Sequence, residues 1–197
     1  MDQPDFDYLG PYHIEKTLGR GGMGTVYKGV HAKSGEEVAI KVIAASVADQ
    51  SRFRRRFEAE IKTLQRLKHP NIVTLKGVGE EQGRLFYTME YVDGFTLHDL
   101  LRKEGKLVWE DVVEIGIQTM AALKHAHDLG TIHRDLKPAN LMLNREGELK
   151  LTDFGIAKLF GATDMTVVGT VIGTADYMPP EQAEGKPVTV KSDLYGI

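Results

Sequence analysis

The chain has 197 residues, 42% of them hydrophobic and 27% charged, with a net charge of −3. That is enough to bury a core in one large domain or two small lobes, and it excludes a chain disordered throughout. With no basic excess it is not a nucleic-acid coat, and with no cysteine it has no disulfide, thiol catalysis, Cys-ligated zinc or iron–sulfur cluster. No apolar run reaches the ~18 residues of a membrane span. The start Met1-Asp2-Gln3-Pro4-Asp5-Phe6-Asp7 has the wrong sign for a secretory leader, so the expectation is a soluble, cytoplasmic protein.

From Tyr12 to Lys41 the texture is strand and turn: Thr25-Val26-Tyr27 and Val38-Ala39-Ile40-Lys41-Val42 are β-branched and broken by Gly29 and Ser34-Gly35. A helix is predicted from about Ser51 to Lys68, with Phe53, Phe57, Ile61, Leu64 and Leu67 on one face. His69-Pro70 ends it, because the residue before proline is pushed out of the α region. Two short strands are predicted near Ile72–Leu75 and Leu85–Met89. After Val92-Asp93-Gly94 the pattern turns helical, near Thr96–Lys103 and Trp109–His127. The second of these is apolar nearly all round, as a buried helix is. A β-rich half thus joins a helix-rich half near residue 90. The expected fold class is α+β in two lobes, residues 1–91 and 92–197.

Two clusters carry chemistry. Gly19-Arg20-Gly21-Gly22-Met23-Gly24-Thr25-Val26 fits G-x-G-x-x-G-x-V, in which bare backbone approaches a phosphate chain. Alone the pattern is weak, since dinucleotide-binding folds share it and a glycine-rich surface hairpin imitates it. In a dinucleotide fold the glycines open a helix, with an acidic residue about 20 positions on. Here they run into Thr25-Val26-Tyr27, and the next strand carries Lys41. The second cluster is His133-Arg134-Asp135-Leu136-Lys137-Pro138-Ala139-Asn140, followed by Asp153-Phe154-Gly155. Asn140 and Asp153 offer hard oxygens suited to Mg²⁺. Asp135 can orient and deprotonate a hydroxyl. Lys137 adds positive charge where negative charge develops. His125 and His127, at i and i+2, do not share a helix face, which argues against a zinc site.

In this order, from about Tyr12 to Ile197, the motifs resemble a protein kinase catalytic domain, most of all the eukaryotic-like serine/threonine kinases of bacteria. The resemblance implies a two-lobed kinase fold and phosphoryl transfer from ATP, with Mg²⁺, to Ser/Thr hydroxyls of proteins. Gly19, Gly21, Gly22 and Gly24 then cover the phosphates, and Lys41 binds them and pairs with Glu60. Asp135 becomes the catalytic base, Lys137 its cationic companion, and Asn140 and Asp153 the metal ligands. Met89 becomes the gatekeeper, and Glu90 and Val92 meet the adenine edge through their backbone. Leu18, Val26, Ala39 and Met142 enclose the ring. Lys137-Pro138 is the serine/threonine form of the loop.

Between Asp153 and Pro179-Pro180-Glu181 lie Thr163, Thr166, Thr170 and Thr174. The resemblance implies a regulatory phosphate there, opposite Arg134, with autophosphorylation at Thr166 or Thr170 through self-association. In Ser51-Arg52-Phe53-Arg54-Arg55-Arg56 the expectation is a solvated helix face; the sharper alternative is that one arginine meets the phosphorylated segment or an anionic partner. Ala-Pro-Glu of the family is Pro179-Pro180-Glu181 here. Asp193-Leu194-Tyr195-Gly196-Ile197 resembles only the start of the family's long central helix. A one-turn helix is expected to fray. Trp109–His127 is expected to show an uncovered apolar face. The alternative function is therefore a truncated, catalytically silent module that binds nucleotide or docks a partner.

Overall fold

The computed structural model describes residues 6–22, 24–45, 51–154 and 175–197. The chain divides into two compact units, Met1–Gln65 with Thr74–Tyr91, and Arg66–Val73 with Val92–Ile197.

The first unit is a six-stranded antiparallel sheet. Its strands are β1 (Tyr8–Leu9), β2 (Tyr12–Gly21), β3 (Gly24–His31), β4 (Glu37–Ile43), β5 (Leu75–Glu81) and β6 (Arg84–Glu90), in the order β1-β2-β3-β4-β6-β5. Because neighbouring residues on a strand face opposite sides, the register sorts the side chains. Tyr27, Val38, Ile40 and Phe86 join Leu9 and Ile14 in one core cluster. Val26 pairs with Lys41, Lys28 with Ala39, Ala39 with Met89 and Lys41 with Tyr87, so these share the other face. Helix α1 (Ser51–Leu64) buries the predicted stripe of Phe53, Phe57, Ile61 and Leu64, and the Phe57 ring lies 6.3 Å from that of Tyr87. From the basic run, Arg54 forms a two-pronged pair with Glu80 at 2.7 and 2.9 Å, and so does not stand as a bare cation.

One predicted strand is misplaced. Ile72–Leu75 contributes only an isolated bridge from Ile72 to Leu151, and the strand is Leu75–Glu81. Gly77, Gly79 and the acidic Glu80-Glu81 hide its alternation from propensity, and pairing with β6 overrides them.

The second unit carries β7 (Gly94–Thr96), α2 (Leu97–Glu104), α3 (Trp109–Asp128), β8 (Leu141–Asn144) and β9 (Leu149–Leu151), with β7-β8-β9 as a small sheet. Thr96 caps α2 by accepting the Asp99 N–H at 3.0 Å. The segment 66–73 is strapped to β9: Leu151 donates to the Asn71 carbonyl and Val73 to that of Leu151. α3 buries Thr119, Ala122, Leu123 and Ala126 on one side only. Trp109 (71% exposed), Val112, Val113, Ile117 and Met120 form the uncovered face. Short helices α4 (Pro180–Ala183) and α5 (Val190–Tyr195) follow. The expected fraying of α5 is offset by a capping box between Thr189 and Ser192 and by the burial of Asp193. No helix among the described residues is long and apolar enough to cross a membrane.

Candidate active site

In the first unit the glycine motif forms the turn joining β2 to β3, with Gly19 opposite Val26 and Gly21 opposite Gly24. Its glycines serve different ends. Gly24 has φ 140°, and a side chain there would strike the Val42 carbonyl. Among the described residues, a Cβ on Gly19 or Gly21 would meet nothing within 4 Å. Packing among the described residues does not demand those two glycines, and their bare backbone leaves room for an anion to approach. Gly22 sits in the turn, and Leu18, on β2, is exposed. Val26 and Ala39 lie on the same sheet face as Lys41. Lys41 and Glu60 are both buried, at 9% and 8% exposure, and both are engaged in interactions. Side chains of these types are almost never buried unless paired. Glu90 ends β6, and its N–H donates to the Thr74 carbonyl at 2.9 Å.

In the second unit three of the proposed residues are bonded directly. The carboxylate of Asp135 receives Lys137 Nζ at 3.0 Å on Oδ1 and 2.8 Å on Oδ2. Asn140 Nδ2 reaches Asp135 Oδ2 at 3.1 Å and the Asp135 carbonyl at 2.7 Å. The short 3₁₀ turn Pro138–Asn140, begun by proline, folds residue 140 back onto residue 135. With its N–H groups turned to Asp135, Asn140 presents its amide oxygen on the other side. Thr152 donates to the Asn140 carbonyl at 3.0 Å, which brings Asp153 alongside. Asp153 is half-buried with φ 59°. A backbone of that kind at a non-glycine residue concentrates at functional sites. Val92 is buried, and Met142 lies on β8 in the same unit.

An amide oxygen and a carboxylate are donors that Mg²⁺ takes from a protein one or two at a time, its other positions going to phosphate and water. Among the described residues no three His, Asp or Glu gather into a protein-made metal cage. Asn140 and Asp153 therefore fit an ion that arrives with phosphate oxygens.

Two buried groups hold this loop, and the sequence reading assigned a role to neither. His133 is fully buried; its Nε2 donates to the Thr152 carbonyl at 2.8 Å, its Nδ1 accepts the Asp135 N–H at 3.3 Å, and its ring lies 4.6 Å from Phe154. Burial holds its pKa below the ordinary imidazole value, against the opposing pull of the Thr152 carbonyl and the nearby carboxylates. Asp193, 1% exposed, accepts the His133 N–H at 2.8 Å, the Arg134 N–H at 2.8 Å and His127 Nε2 at 2.7 Å. It thereby fixes Arg134 in the left-handed region, at φ 71°. The capping pattern of Thr189 and Ser192 signals a helix start, but nothing local tells that the aspartate points inward. The two α3 histidines go separate ways, His127 to Asp193 and His125 to His69, ring centroids 5.2 Å apart. Glu181 accepts the Ser192 hydroxyl, which lowers its pKa. A small cavity beside Asp135 is lined by Leu136, Tyr177, Met178, Pro179 and Gln182. Gly155 and Thr163, Thr166, Thr170 and Thr174 lie outside the described residues.

Comparison with known proteins gives a consistent result. A family model described as the protein kinase domain matches residues 12–197. A probable serine/threonine-protein kinase of Streptomyces coelicolor, SCO3848, is 43% identical over 94% of this chain and 28% of its own length. Serine/threonine-protein kinase PrkC of Bacillus subtilis is 39% identical over 95% of this chain and 29% of its own. The chain thus spans under a third of the length of these relatives. Among solved structures, the PknI kinase domain of Mycobacterium tuberculosis superposes with a TM-score of 0.76 at 32% identity, covering 94% of this chain and 68% of that one.

Proposed function

The chain belongs to the protein kinase domain family, with the fold of that family, and on that premise we propose that it is a serine/threonine protein kinase. The observation that carries the reading is the Asp135 carboxylate held between Lys137 and Asn140. Such a carboxylate is fixed in direction, as in-line attack on a phosphoryl group requires.

ATP and Mg²⁺ are the co-substrate and metal the family implies. Gly19, Gly21, Gly22 and Gly24 cover the phosphates with backbone N–H groups, and Lys41, paired with Glu60, neutralises their charge. Asn140 and Asp153 would hold Mg²⁺, which would supply charge neutralisation to the triphosphate oxygens. Glu90 and Val92 meet the adenine edge, under the gatekeeper Met89, and Leu18, Val26, Ala39 and Met142 enclose the ring. Asp135 accepts the proton of a Ser or Thr hydroxyl as its oxygen bonds to the γ-phosphorus and the bond to the β-phosphate oxygen breaks, releasing ADP. Lys137 offsets the charge that develops. The lobes are proposed as residues 1–91 and 92–197. Protein substrates, a cytoplasmic location and self-association for autophosphorylation at Thr166 or Thr170 belong to the same proposal.

The test compares the chain with Asp135→Asn and Lys41→Met, using Mg-ATP and a generic basic protein substrate. The expected result is phosphate incorporation by the first alone. Equal incorporation by Asp135→Asn removes the proposed role of Asp135. Thermal stabilisation by Mg-ATP with no incorporation favours a silent nucleotide-binding module instead.

A further inference from the structure

Lys28 stands on β3 two residues past Val26, directly opposite Ala39, and so on the face that carries Val26, Ala39 and Lys41. Its ammonium does not project into water. Glu15 Oε2 lies 3.0 Å away, Glu37 supplies a second carboxylate, and the Lys28 side chain is only 14% exposed. Its third neighbour is the Tyr91 ring, whose centroid lies 4.9 Å from Nζ, within cation–π range. The hydrogen bonds that the ammonium donates to Glu37 and Glu15 raise its pKa above the ordinary lysine value, so it stays charged at any working pH.

Tyr91 follows β6 directly and is the last residue of the first unit. On one side of it, Glu90 is bound to Thr74, backbone N–H to carbonyl at 2.9 Å and carboxylate to N–H at 3.2 Å. Lys28 grips the adjoining residue through its ring. The exit from β6 is therefore held from β3 as well as from Thr74. Glu90 and Val92, proposed to meet the adenine edge, flank Tyr91, and a rotation about its backbone bonds would move the Val92 N–H.

Resting on the kinase reading above, we infer that Lys28 is a positioning residue: by holding the Tyr91 ring it sets the Glu90–Val92 backbone for the adenine edge. Tyr91 transmits the restraint, and neither side chain need touch the nucleotide.

The experiment measures the Kd for Mg-ADP and the steady-state constants for ATP across Lys28→Met, Tyr91→Leu, Lys28→Arg, Tyr91→Phe and the double variant Lys28→Met/Tyr91→Leu. Lys28→Met and Tyr91→Leu should each raise Kd and KM by about three- to tenfold, with kcat held within about twofold. Lys28→Arg and Tyr91→Phe, which keep cation and ring, should restore affinity. The double variant should be no worse than the weaker single, because both changes break one contact. The inference fails if the double variant multiplies the two effects, if Tyr91→Phe is as weak as Tyr91→Leu, or if Tyr91→Leu binds like the original chain. Loss with Lys28→Met alone assigns the effect to charge and also overturns it. An unaltered chain that binds no Mg-ADP refutes the kinase reading, and the tether with it; an unaltered chain that binds while its variants match it refutes the tether alone.

Discussion

At the hairpin between β2 and β3, Gly19 and Gly21 leave open space around the backbone among the described residues. The loop from His133 to Asn140 does the reverse, with Asp135, Asn140 and the amides of residues 133–135 taken up by partners on the same unit. The two regions divide the proposed labour. A ligand that comes and goes needs vacancies, whereas a proton acceptor needs a direction that does not change between turnovers. Flexibility in the first costs affinity, while looseness in the second costs chemistry.

The largest expected effect falls on the saturated loop. Asp193→Ala leaves the His133 and Arg134 amides and the His127 ring without an acceptor in a buried place. It should destabilise the protein by about 3–5 kcal/mol, read from the urea midpoint. A smaller loss would mean that water reaches the loop and that its rigidity comes from elsewhere.

Next come the glycines. Gly24→Ala must move the Val42 carbonyl and adopt a backbone that side chains avoid, so it should cost about 1–3 kcal/mol. Gly21→Ala should leave stability within about 0.5 kcal/mol and weaken Mg-ADP binding several-fold, in a calorimetric titration. Equal stability losses at the two positions would erase the distinction between a packed glycine and a vacant one.

A third, intermediate effect is one of pH. Burial lowers the pKa of His133, and burial with the neighbouring His125 lowers that of His69. The unfolded chain then binds these protons more readily than the folded one. The stabilisation is fully present above the ordinary value of 6.5 and is lost as pH falls through the lowered folded values. The urea midpoint should decline between about pH 7 and pH 5, above the range of the lowered carboxylates. A midpoint flat across that window would show that neither ring resists protonation.

The smallest effect is at the surface. Arg54→Ala removes the two-pronged pair with Glu80, yet both side chains are about 40% exposed and water replaces much of what is lost. No measurable change in melting temperature is expected; a clear drop would show that this pair fixes α1 against β5.

These expectations also mark what the sequence discloses. The meeting of Asp135, Lys137 and Asn140 is legible because they lie within six positions of one another, and the proline between them begins the turn. The helix stripe of Phe53, Phe57 and Ile61 is legible because its period belongs to one element. Asp193 is not, since its partners stand 59 to 66 positions earlier and only the folded chain brings them together. Lys28 reads locally as an ordinary strand lysine; its meaning lies in Tyr91. Leu75–Glu81 escapes for the same reason, being a strand by virtue of its partner rather than its composition.

The imidazole of His133 has one further consequence. Gripped at one nitrogen by the carbonyl of residue 152 and at the other by the amide of residue 135, it acts as a strut of fixed length between two stretches of main chain. Any pull on the segment leading to Asp153 is transmitted to Asp135 without passing through solvent. The main chain beside Asp153 and that of Asp135 are thus joined through one buried ring, so a displacement on either side of the strut bears on the other.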